Sequence, residues 1–309
     1  MSRSTRSRTS CTLEAEAKAW GFERGAAVAF NKFGFQDVEY VSHYRQFAEP
    51  FLIEANPANN QYFIHEAQQN HIYGINNALL ELTGDPLTLL SRIAFTTAAS
   101  HFFRLGVMRR LRMIDSSFKS FQSIVPPNRT VPLSQEQSDR VCRDLNAIYV
   151  DLLGLLDNYA WVAVYQLGPS VTQSAKPHSK GLFKPAFAAD PGLKPAADAM
   201  KPFATWEKEV KTRRNPAAHR MPLYVPSTAL TPDDVVEFER FEALISEALR
   251  AQEFEKLDDL REGRQRVGTL VPKFLHDPGE AVIDIYPTIP EDIGQAIEIG
   301  RAMQTFLSA

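Results

Sequence analysis

Cysteine is scarce in this chain. Cys11 and Cys142 are its two thiols in 309 residues, too few for a disulfide framework and without the paired spacing of a zinc site, so a reducing, cytoplasmic setting is expected. Long hydrophobic runs are missing as well. No stretch reaches the roughly 18 consecutive apolar residues that a membrane helix needs, and no membrane association is expected. The first ten residues hold Arg3, Arg6 and Arg8 among Ser and Thr with no apolar run behind them, which reads as a disordered tail rather than a secretory signal. The 15 glycines never form the GxxxxGK[ST] phosphate loop, so nucleotide chemistry of that kind is excluded. His43, His65, His71 and His101 lack the His/carboxylate pairing of a metal site; His65 and His71, six apart, fall on different faces of a helix. Neither a metal nor a cofactor is expected. A formal charge of −3 argues against a surface built to coat nucleic acid, while leaving room for a local basic cleft.

The pattern that is present is helical. Residues 61–82 place Phe63, Ala67, Ile72, Ile75 and Leu79 at helical spacing, and Thr83-Gly84-Asp85-Pro86 reads as its stop. A second helix is expected from Thr88 towards Phe121, before Val125-Pro126-Pro127-Asn128. The clearest helix runs from the N-cap Ser134 to Leu167, amphipathic at first and then apolar nearly all round, the mark of burial between neighbours. Residues 168–192 read as a long loop whose Lys176, His178, Lys180 and Lys184 either grip a polyanion or are simply solvated. Another helix is expected from Leu193 to Arg213, and another, capped by Thr231 with Pro232 at its first position, to Leu257. Two short apolar runs around Asp277-Pro278-Gly279-Glu280 suggest a hairpin, and a final helix spans 290–306. The chain is thus all-α, with a tail and helical extension over 1–59, an up-and-down helical core over 60–257 and an accessory segment over 258–309.

Charge concentrates in two places, Arg109-Arg110-Leu111-Arg112 and the stretch from Lys208 to Arg220. The second contains Arg214-Asn215-Pro216-Ala217-Ala218-His219, which puts a permanent cation, an amide and a neutral-pH proton carrier within six residues. Arg grips phosphate oxygens through a planar fork of donors, and His takes and returns protons near neutrality. Pro216 lacks an N–H and disfavours helical geometry at Asn215, so the sequence predicts a helix break with Asn215 as a new N-cap. That break would swing Arg214 and His219 towards one pocket. Asp157 and Asn158 interrupt the apolar half of the 134–167 helix. A carboxylate there is costly unless paired, which makes Asp157 either a partner holding Arg214 or a rim residue in water. Lys211, Arg213 and Arg220 would widen the basic cleft, or stand by.

An Arg, an Asn, three further residues and a His following a long apolar helix resembles the signature of HEPN domains. The resemblance covers about residues 134–257, and Pro216 departs from the small or polar residue common at that place. It implies a HEPN-like helical bundle acting as a homodimer, with Arg214, Asn215 and His219 as catalytic residues, Asp157 and Asn158 in support, and Arg213, Arg220 and Lys211 as RNA-binding candidates. The implied activity is metal-independent RNA cleavage by 2′-hydroxyl attack, in a toxin or antiviral defence effector with a cognate antitoxin or regulator. A non-catalytic, dimerising scaffold or RNA-binding module fits the same residues.

Overall fold

The computed structural model describes residues 60–167, 181–277, 279 and 282–308. The tail and N-terminal extension over 1–59 and the loop lysines Lys176 and Lys180 with His178 lie outside these residues. The described chain is mostly helical, in agreement with the all-α expectation.

Helix α1 spans Asn60–Arg92. It passes straight through Gly84 and Pro86, so the expected stop there is not one. The chain turns instead at 93–96, where the end of the long core helix holds it: Thr96 donates its backbone N–H to Gln166 Oε1 at 2.9 Å and its hydroxyl to the Tyr165 carbonyl at 3.0 Å. Thr96 then caps α2 (Thr97–Phe102) by accepting from the Ala99 N–H. A π turn, Phe103–Val107, leads without interruption into α3, Met108–Ile124.

Helix α4, Gln135–Leu167, is the hub. Ser134 and Gln137 form the reciprocal cap that the sequence suggests, side chain to backbone in both directions at 3.3 and 3.2 Å. α4 packs against α2, α3 and two helices from the C-terminal half, which explains its all-round apolar second part. It is long and apolar enough to cross a membrane by composition, and here that surface is buried in the core, with Tyr149, Leu152, Tyr159 and Val162 fully enclosed.

Short helices α5 (Pro185–Ala189) and α6 (Lys194–Ala199) and a 3-10 turn lead into α7, Ala204–His219. Helices α8 (Pro232–Ala251) and α9 (Phe254–Gln265) follow. Thr231 caps α8 as expected, in a full capping box with Asp234. Gln252, in the left-handed region at φ 58°, turns the chain between the two. α8 and α9 pack on each other around a separate small core of Ile245, Ala248 and Leu257, so α8 is not part of the main bundle.

The expected hairpin is a single antiparallel pair, β1 (Lys273–Phe274) with β2 (Ile283–Asp284), in register Phe274 to Ile283. The last helix, α10 (Ile285–Ser308), corrects the domain boundaries. It is no accessory: its residues from Ile285 to Gly300 are all buried, and it packs against α1, α4, α6 and α7. The helical body therefore closes on the C-terminus.

A cationic cleft between the motif helix and the core helix

Helix α7 sets out the site by its period. At about 100° per residue, Glu207, Lys211 and Arg214 fall within some 60° of one another, with Asn215 at the edge of the same stripe. All four line one cleft of about 490 Å³. α4 supplies the facing wall through Val150, Leu153, Gly154, Asp157 and Trp161, again a helical stripe, and the 181–184 turn and Arg110 of α3 complete it. The cleft thus carries four cations, Arg110, Lys184, Lys211 and Arg214, with Asp157 and Glu207 as the acids on its lining.

Two site expectations are corrected here. Pro216 lies inside α7, and the helix continues to His219. Asn215 is therefore no N-cap, and no break swings 214 and 219 together. On an unbroken helix the two positions stand about 140° apart around the axis, while position 219 follows Asn215 by one turn at about 40°. Arg213, expected at the basic cleft, points the other way. It is buried, and its Nη1 donates to both carboxylate oxygens of Asp292 at 2.8 and 2.7 Å. Asp292 also accepts from Trp206 Nε1 at 3.0 Å and from the Tyr149 hydroxyl at 2.8 Å. Burial is the strongest single influence on Arg213 and works to lower its pKa, but Asp292, Tyr149 and Glu209 together outweigh it and raise it. This pair locks α7 to α10.

Arg214 faces the cleft with its donors little used. Nη1 makes one long contact to Asn215 Oδ1 at 3.4 Å, and Nε is shielded from solvent with no partner among the described residues. Asp157 shares the cleft, but no hydrogen bond joins it to Arg214 among the described residues. It is an exposed neighbour at the cleft rim rather than a holder. Desolvation raises the Asp157 pKa, against the opposing pull of Arg110, Arg214, Lys211 and Lys184. Lys211 is paired along the helix with Glu207. Arg220 is exposed at the helix end, outside the cleft lining.

Asn158 serves a residue that the sequence reading passed over. Its Oδ1 accepts from Arg110 Nε at 2.9 Å, and Asp151 Oδ1, nearly fully buried, accepts from Arg110 Nη1 at 2.7 Å. Burial raises the Asp151 pKa and Arg110 acts against it. Arg110 was visible only as one member of a basic run. The signal that could have singled it out is the pair Gly106 and Gly154, placed where side chains are needed to approach the helices closely.

Comparison with protein families, with curated proteins and with solved structures finds no match to this chain.

Proposed function

We propose that this chain is a metal-independent endoribonuclease of the HEPN type, working as a cytoplasmic homodimer. The observation that carries the reading is the sharing of one cleft by Arg214, Asn215 and Asp157, with a single long hydrogen bond, to Asn215 at 3.4 Å, made by the Arg214 guanidinium among the described residues. A guanidinium whose donors are not consumed inside the protein is ready for a phosphate oxygen. In the reaction the 2′-hydroxyl oxygen bonds to the adjacent phosphorus and the bond to the 5′ oxygen breaks. The products are a cyclic phosphate and a 5′-hydroxyl. One proton leaves the 2′-hydroxyl and one arrives at the 5′ oxygen, so an acid and a base are both required. Arg214 stabilises the charge that builds on the phosphorane-like transition state, an electrostatic effect worth about 3–4 kcal/mol where single donors have been removed from other enzymes. The 140° between positions 214 and 219 favours a two-fold assembly, in which one copy's His219 serves a site that includes the other copy's Arg214. A role as toxin or defence effector rests on the resemblance alone.

The test is incubation of the purified protein with single-stranded RNA in EDTA, with mass analysis of the product ends. Cyclic phosphate ends, lost in Arg214→Ala and in His219→Ala, are the expected result. Wild-type turnover no greater than that of the double variant overturns the enzymatic reading. The unbroken course of α7 through Pro216 favours a second reading, an RNA-binding module without turnover. It predicts binding that needs Arg214 and ignores His219.

A further inference from the structure

Arg110 sits in the same cleft as Arg214 but is held very differently. Asp151 and Asn158 fix two of its nitrogens, Nη1 and Nε, and the side chain remains about one-third exposed. Its guanidinium lies flat across α4 at Gly154. A methyl group on Gly154 would stand 2.2 Å from Arg110 Cζ and 2.4 Å from Nη1. A methyl group on Gly106 would stand 2.7 Å from Asn158 Cγ. Two glycines on facing helices thus give up their side chains, one to admit the arginine and one to admit the amide that orients it. The π turn at Phe103–Val107 ends three residues before Arg110; turns of this kind occur often at functional sites.

A surface arginine that only stabilised the packing of α3 on α4 would not need an open edge on a cleft that holds three more cations. Building a rigid, half-wet guanidinium beside a loosely held one is how a protein grips a dianion or diester from two sides: one donor set fixes position, the other adapts. We infer that Arg110 and Arg214 are the two jaws of a phosphate clamp, with Arg110 as the preorganised jaw and Asp151, Asn158, Gly106 and Gly154 as its positioning residues. The clamp rests on the RNA reading above for the identity of its ligand, a phosphodiester of single-stranded RNA. It names the second cation and the means by which that cation is held.

The probe is a short fluorescent 2′-O-methyl oligouridylate, which cannot be cleaved, and the readout is its dissociation constant across a salt series. Arg110→Ala is expected to weaken binding at least tenfold. It should also make the slope of log affinity against log salt shallower by about 0.7, the loss of one contact to a single strand. Gly154→Ala removes no charge yet displaces the guanidinium, so it should weaken binding by a similar factor. A purely structural Arg110 would leave the salt slope unmoved. If Arg110→Ala does not fold, the pair Arg110→Met with Asp151→Leu removes cation and buried carboxylate together and carries the same prediction. Binding lost in Arg214→Ala but unchanged in the Arg110 and Gly154 variants overturns the clamp and leaves the RNA reading standing. A wild-type protein that does not bind the probe overturns both.

Discussion

Arg213 and Arg214 are adjacent in sequence and serve opposite sides of one helix. Arg213 closes on Asp292 inside the core, with both carboxylate oxygens within 2.8 Å of its Nη1, and Arg214 opens onto the cleft. The turn of about 100° between neighbours in a helix makes this division possible. The inward residue holds the outward one in place, because α7 is tied to α10 through it.

Removing the carboxylate should therefore destabilise the fold rather than merely slow the chemistry. Asp292→Ala leaves a buried guanidinium without a counter-charge and is expected to lose about 3–5 kcal/mol of stability. The coupled change of Arg213→Met with Asp292→Leu should recover most of that loss. Urea titration, followed through the fluorescence of Trp206 and its neighbours, measures both. Equal stability of Asp292→Ala and wild type would contradict the burial of this pair.

Asp157 gives a pH-dependent prediction. Desolvation lifts its folded pKa above the unfolded value of about 3.9, so the folded state keeps the proton to higher pH than the unfolded chain. Stability from this group accordingly falls as pH rises between the two pKa values and stays reduced above the higher one. Asp157→Asn should raise Tm slightly at neutral pH, the effect being limited by the exposure of the residue, and bring no gain at pH values below the unfolded pKa. A Tm difference that does not change with pH would refute the assignment.

Pro216 has no N–H to offer the carbonyl of Thr212 one turn back. Since α7 continues through it, Pro216→Ala should keep the helix and add stability, by up to about 3 kcal/mol where a proline sits mid-helix and less in a last turn. Had the proline made a kink that the site needs, the same variant would abolish RNA binding. Thermal melts and the binding assay together decide between these outcomes.

Gly300 marks a close approach of α10 to its neighbours. A methyl group there would stand 2.8 Å from a Leu82 methyl carbon and 3.2 Å from the Tyr159 hydroxyl. Gly300→Ala is expected to cost about 1–3 kcal/mol through overpacking, despite the better helix propensity of alanine. Denaturant unfolding would show it, and a stabilised variant would count against the close approach of α1, α4 and α10.

What could be read in the sequence was local. Ser134 with Gln137 and Thr231 with Asp234 announce their helices, because a cap is satisfied within three residues. The prolines misled. Pro86 and Pro216 both sit within helices, since a proline raises the cost of a helix and tertiary packing decides whether the helix continues. α10 was misjudged for a similar reason. Its burial depends on partners far along the chain, and Asp292 meets its main cation 79 residues away. Arg110 was hidden the same way, 41 residues from Asp151 and 48 from Asn158. Long-range pairing of charges leaves no mark on spacing.

The α8–α9 hairpin leaves the body and returns to it at one point. Ala229 and Thr269 exchange two backbone hydrogen bonds, at 2.7 and 2.9 Å, so the stem closes like a clasp. Gly268, at φ 91° and pressed against Thr228 and Ala229, lets the chain turn in at that clasp. With so small an interior, the arm should breathe apart long before the body melts, and its amides should exchange first. The same geometry makes it a detachable cassette. A short bridge across the clasp could replace the whole arm, and a foreign domain could be grafted there without disturbing the helices beneath.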